Sequence, residues 1–168
     1  PRNVQIVEAS VLDEVVLLDL LQQNEIVYHM ISETGTAQSM YKMRHYTDVN
    51  IGSVSVLMDL LVNHATKVKK VFLASSRAVY GEGRYTNEKL ETVYPDIRKK
   101  SDMEAAKFDL YDAQSGESLS VHPTREYDQV KPVSIYGFSK YAQEQLLKIT
   151  CETYGINFCI LRFQNVYG

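Results

Sequence analysis

Short apolar runs of strand length take turns with stretches whose apolar residues recur at helical spacing, and this alternation constrains the fold more than any other feature of the chain. Val4 to Glu8 is short and β-branched, and Val11 to Leu21 follows at helical spacing behind Ser10 as a candidate N-cap. Glu25 to Ile31 is a second run of strand length. Tyr46 to Ala65 comes after it, with Val49, Leu57, Leu60, Leu61 and Ala65 on one face of a helical period. Lys70 to Ser76 ends in small hydroxyl residues, Tyr136 to Tyr154 reads as a helix closed by Gly155, and Phe158 to Phe163 is a further strand candidate. Strands that are apolar almost throughout belong in a sheet buried on both sides. The pattern therefore predicts an α/β fold, a parallel sheet with helices on both faces.

Between Gly81 and Pro132 the text is polar, sprinkled with tyrosines and marked by Pro95, Gly116, Pro123 and Pro132. Such a stretch is too long for an ordinary connection, so an insertion at 82–132 over the carboxyl edge of the sheet is expected, with a short helix near Ser101 to Lys107. The whole chain, 168 residues with 45% hydrophobic, fits one domain that buries a core. A formal charge of -3 gives no basic face for nucleic acid, so a small-molecule or protein partner is expected. Cys151 and Cys159 fall in a helix and a strand and read as reduced, packed thiols; neither they nor the histidines show metal-ligand spacing. With no apolar run of about 20 residues, no membrane span is expected, and a soluble cytoplasmic protein is the default. The chain opens on Pro1 without Met and stops on Val166-Tyr167-Gly168, which reads as a piece of something longer.

In an open parallel sheet ligands bind outside the carboxyl ends of the strands. Ser75 and Ser76 end one strand candidate, Asn165 lies just past another, and Tyr136 and Lys140 open a helix four residues apart, on one face. A phenol is a poor base at neutral pH, and an ammonium one turn away favours its phenolate. Tyr136 is thus a candidate to accept a hydroxyl proton, with Ser76 bonding the same hydroxyl; the hydride that leaves with it needs a cofactor, since no side chain accepts hydride. Taken alone the pair reads more readily as an exposed helix pair, because twelve tyrosines make chance matches common. Arg77 stands open between a diphosphate and an acid of the insertion, Glu144 with Lys148 reads as a helix-face ion pair, and Tyr80, Tyr94 and Tyr111 read as packing of the insertion.

Four stretches together resemble the extended short-chain dehydrogenase/reductase family of nucleotide-sugar epimerases and dehydratases. They are Val-Phe-Leu-Ala-Ser-Ser-Arg-Ala-Val-Tyr-Gly (71–81), Ser-Ile-Tyr-Gly-Phe-Ser-Lys (134–140), Leu-Arg-Phe-Gln-Asn-Val-Tyr-Gly (161–168) and Asp-Val-Asn-Ile-Gly (48–52). The resemblance implies NAD as cofactor and a nucleotide sugar as substrate. It makes Tyr136 the base, Lys140 its electrostatic partner and ribose ligand, and Ser76 the hydroxyl partner. Asn50 would support the site, Phe163 would meet the nicotinamide end through its backbone, and Asn165, with Ser76 and Arg77, would hold the sugar nucleotide. His29, Met30, Ile31 and Ser32 would face the dinucleotide. Dehydratases of the family resemble one another in an Asp-Glu pair after the catalytic Thr or Ser; Arg77-Ala78 stands there, leaving 4-epimerisation or simple oxidoreduction. The run Thr34-Gly-Thr-Ala-Gln-Ser-Met-Tyr with 75–83 looks most like dTDP-L-rhamnose 4-epimerase-type enzymes. The family also implies a homodimer through a four-helix bundle of helices like 46–65 and 136–154.

The likeness runs in order along the chain but starts just before the family's third strand, so the expected domain, 1–168, is a partial Rossmann-like, dinucleotide-binding one with the first two strands missing. The family's Gly-x-x-Gly-x-x-Gly turn has no counterpart; Gly35 and the pair Gly81 and Gly83 have other spacing and context. Without those strands Val4 to Glu8 loses its usual neighbours and must rearrange, pair with another copy or leave open edges. Ala9-Ser10 replaces the usual Gly-Asp, Ile31-Ser32 a pair of small residues, and the insertion carries no cysteine. Besides the epimerase reading, a non-catalytic fragment or binding module and a nucleotide-sugar dehydrogenase or reductase remain as alternatives.

Overall fold

The computed structural model describes residues 4–166, so Pro1 and the Tyr167-Gly168 end of the last stretch quoted above lie outside the described residues. Helix α1, Glu14–Gln23, starts where the Asp13 side chain accepts the Val16 amide; Ser10, the candidate cap, instead accepts the Leu12 amide one turn earlier. Strand β1, Ile26–His29, follows directly and is shorter than the apolar run at 25–31. Val4 to Glu8 forms no strand and is exposed throughout, a correction to the strand expected there. Its backbone meets no partner strand among the described residues, and β-branching alone cannot hold an unpaired strand.

The long helix expected over 46–65 is divided. Two single turns, α2 at Thr36–Ser39 and α3 at Met43–Tyr46, lead into a π-helical turn at Thr47–Ile51, from which α4 runs through Gly52–Asn63. Strand β2, Lys70–Ser76, has the bounds expected from the sequence and passes into a 3-10 turn, Arg77–Tyr80. The insertion contains a small antiparallel sheet of β3 (Tyr85–Thr86), β4 (Thr92–Val93) and β5 (Ser120–Val121) in the order β4-β3-β5, and a short helix α5, Lys100–Glu104. Helix α6, Ile135–Tyr154, is capped by Ser134 and ends on Gly155 in the left-handed region, as its sequence signals; β6, Asn157–Phe163, closes the chain's sheet.

The main sheet is parallel, in the order β1-β2-β6, with four residues of β1 and all seven of β6 paired to β2. Because side chains alternate across a strand, Val71, Leu73 and Ser75 of β2 share a face with Val27 and His29 of β1 and with Phe158, Ile160 and Arg162 of β6. That face lies under α4 and α6, and Val54, Leu57, Met58, Leu60 and Leu61 join Val71, Leu73, Leu147 and Cys151 in one core to which Leu21 of α1 is added. Each such aliphatic side chain contributes about 1.5–3 kcal/mol by leaving water. The other face carries Tyr28 stacked on Phe72 at 4.7 Å, with Ile26, Leu161 and Phe163 exposed. The α/β class with a parallel sheet is as the alternating pattern predicts, but among the described residues helices cover one face of that sheet and not both, since Ile26, Tyr28, Leu161 and Phe163 face solvent on the other.

Candidate functional site

The carboxyl ends of β2 and β6 and the start of α6 meet at one cavity of about 340 Å³. Ser76, the last residue of β2, is half-buried there and its Oγ accepts the Ala78 amide at 3.2 Å, capping the 3-10 turn. That bond uses one lone pair and leaves the hydroxyl proton to donate. Arg77, Tyr136 and Asn165 line the same cavity. Four of the sequence-predicted residues, from three separate elements, are thus brought together. None of the described residues that line it carries a carboxylate; Thr36, Val133, Ser134 and Gln164 share the wall.

Tyr136 is fixed by its own helix start. Ser134 accepts the Gly137 amide through its side chain, and the Tyr136 amide donates to the Ser39 hydroxyl at 3.0 Å, which ties α6 to α2. Gly137 allows a close approach: a Cβ there would lie 2.5 Å from the Ala78 carbonyl oxygen. One turn on, Lys140 is 2% exposed and donates to the Ala74 carbonyl at 2.7 Å. Burial lowers its pKa to about 8, against the pull of Glu144 in the other direction. Only one of its three donors is engaged by that bond, so a buried ammonium with donor capacity in hand stands beside the end of β2.

Asn50 is fully buried in the π-helical turn and joins two layers. Its Oδ1 accepts the Glu33 amide at 2.8 Å and the Ser32 hydroxyl at 3.3 Å, while its Nδ2 donates to Ser139 at 2.9 Å and to the Glu33 carbonyl at 3.2 Å. Gln143 of α6 donates to the Asn50 carbonyl at 2.6 Å, so the turn is bonded through both side chain and backbone. Ser32 is therefore engaged, whereas Met30, Ile31 and Phe163, beyond the ends of β1 and β6 or at them, are exposed and outside the cavity. His29 is 4% exposed with no partner for either ring nitrogen; burial first, and the nearby Lys140 second, lower its pKa to about 4.

One side-chain reading changes, and one left open narrows. Glu144 does not pair with Lys148, which sits 4.0 Å from Glu152; it is 1% exposed and takes a bidentate contact from Arg162 and the Ser75 hydroxyl. Among the described residues no acid of the insertion forms an ion pair with Arg77, which is exposed at the cavity, while Glu82 pairs with Arg98, Asp96 with Lys131 and Asp128 with Arg84. Tyr80 and Tyr94 do pack the insertion, bonding Glu126 and Asp128, while Tyr111 is exposed. Among the described residues no group of His, Cys, Asp and Glu is arranged to hold a metal, both cysteines are free, and no helix is long and apolar enough to cross a membrane.

The sequence model of the NAD dependent epimerase/dehydratase family matches residues 1–168. The chain belongs to that family. Among curated relatives, this family member is 37% identical over 147 residues to a dTDP-L-rhamnose 4-epimerase from Burkholderia thailandensis, covering 87% of the chain and 39% of the relative. The solved UDP-glucose 4-epimerase of Thermotoga maritima, with UDP-glucose, superposes with a TM-score of 0.70 at 24% identity over 100% of the chain and 43% of that protein. The UDP-glucuronic acid 4-epimerase of Bacillus cereus, in complex with UDP-glucuronic acid and NAD, gives 0.64 at 21% identity, 98% and 40%. These two likenesses concern the fold. The chain spans about two-fifths of the length of the relatives it matches.

Proposed function

We propose that the protein carrying this chain is an NAD-dependent nucleotide-sugar 4-epimerase. The observation that carries this reading is the meeting of Ser76, Arg77, Tyr136 and Asn165 in one cavity at the carboxyl edge of a parallel sheet. The residues present fit the nicotinamide half of the cofactor: Lys140 has donors beyond the one bonded to Ala74 that would serve ribose hydroxyls, Met30, Ile31 and Phe163 are exposed at the carboxyl ends of β1 and β6, and Asn50 accepts the Ser32 hydroxyl. NAD, when bound, supplies a hydride acceptor and donor that side chains lack.

Tyr136 moves the proton of the sugar's C4 hydroxyl, and Ser76, whose Oγ proton is free to donate, holds that hydroxyl in line. The buried Lys140 lends positive charge to the phenolate form from one turn away. Arg77, with no acid of the insertion bound to it, faces the diphosphate, and Asn165 bonds the sugar nucleotide. A cavity wall without a carboxylate offers no acid for a departing hydroxyl, which supports epimerisation over dehydration. Exposed Phe138 and Ile149 on α6 support a homodimer formed through α4 and α6. The test is conversion of a nucleotide sugar to its C4 epimer by the protein with NAD and without net NADH. Accumulating NADH with release of a keto sugar points instead to a dehydrogenase, and no conversion of any nucleotide sugar overturns the reading.

A further inference from the structure

Arg162 lies on β6 with its side chain on the helix-covered face, and its guanidinium makes bonds in two directions. Nε and Nη2 donate to the Glu144 carboxylate at 2.9 and 2.7 Å. Nη1 donates to the Tyr80 hydroxyl at 2.7 Å and to the Glu126 carbonyl at 3.1 Å, and the group lies 4.8 Å over the Tyr80 ring. Tyr80 donates to the same Glu126 carbonyl at 3.3 Å. On the other side Glu144 also accepts from Ser75, the residue before Ser76. One planar cation therefore joins the end of the catalytic strand, the helix that carries Tyr136 and Lys140, the 3-10 turn and the insertion.

The insertion at this point forms a wall. Thr124, Arg125 and Glu126 border a space of about 510 Å³ whose floor includes Phe163 and Gln164, and Gln164 also lines the cavity that holds Ser76 and Tyr136. Asp128 braces the same segment within the insertion, through Tyr94 and Arg84. The bonds from Arg162 run instead to the sheet. We propose that Arg162 is a positioning residue for substrate binding, its fork clamping segment 124–128 to the ends of β2 and β6 so that the wall beside Gln164 keeps one shape. This rests on the epimerase reading above. A lysine would still neutralise Glu144, but a point charge cannot meet a carboxylate and a carbonyl on opposite edges of one plane.

Hydrogen exchange of peptides spanning 124–128 and steady-state kinetics are compared in the wild type, Arg162→Lys and Tyr80→Phe. In Arg162→Lys, exchange over 124–128 is expected to rise about tenfold, the loss of roughly one hydrogen bond to a charged group, with β2 and α6 unchanged. KM for the nucleotide sugar rises about tenfold while kcat stays within about threefold and the pH profile keeps its shape. Tyr80→Phe, which leaves the Arg162–Glu144 pair intact, moves exchange and KM in the same direction by less. Unchanged exchange at 124–128 in a folded Arg162→Lys protein, or a fall in kcat with KM unmoved, overturns the proposal. A wild type that converts no nucleotide sugar overturns the epimerase reading instead, and the exchange measurement still decides whether the clamp exists.

Discussion

Tyr136 and Lys140 stand one turn apart on α6, yet their surroundings differ: the phenol borders a cavity and the ammonium is buried against the Ala74 carbonyl. Tyr136→Phe removes the hydroxyl proposed above as the proton acceptor, so kcat of the protein carrying this chain should fall about 10²-fold or more with KM nearly constant, read from initial rates. His29 gives a second expectation. Its pKa falls from an ordinary 6.5 to about 4 in the fold, so the unfolded chain binds the extra proton between those values and stability declines as pH drops through that window. His29→Leu should flatten the decline, measured as urea midpoints from pH 7 to pH 4. At this scale the sequence was informative about position, since Ser76 and Tyr136, picked out by their places at a strand end and a helix start, line one cavity. It misled where a partner is distant: Lys148 is the near neighbour of Glu144 along the helix, but the buried Glu144 pairs with Arg162 of strand β6.

Among elements, the first turn of α6 is a close joint. An alanine at Gly137 has better helix propensity by about 1 kcal/mol, but its Cβ would meet a backbone oxygen that cannot swing aside. Gly137→Ala should therefore cost about 1–3 kcal/mol, read from chemical denaturation, and shift α6 away from Ala78. Strand β2 and the end of helix α6 were legible because apolar continuity, a hydroxyl-rich end and Gly155 agree on their limits; the Ser134 cap came only with the structure. The π-helical turn was not, since five residues of it look like any helical text; only the bonds to Ser32, Glu33, Ser139 and Gln143 require it.

For the molecule as a whole, one sheet face is filled by α4 and α6 and the other presents Ile26, Tyr28, Leu161 and Phe163 to solvent. An apolar area of that kind should bind a hydrophobic dye even while the chain is folded. The pair Tyr28→Gln and Leu161→Gln should lower dye fluorescence severalfold with the unfolding midpoint nearly constant, which separates an exposed face from a loosened core. The strand expected at Val4 to Glu8 shows why local text has limits: the same β-branched residues need a neighbour to pair with, and neighbours belong to the sheet rather than to the segment. The division at Thr47–Ile51 has a consequence for inheritance of length. Each residue of an α-helix advances the rotation by about 100°, so a single-codon deletion inside this turn would straighten the helix and put its two halves out of phase. Asn50 would keep its bonds only if Leu57 and Leu61 left the core, or the reverse. The turn acts as a gear between two faces that must be registered separately.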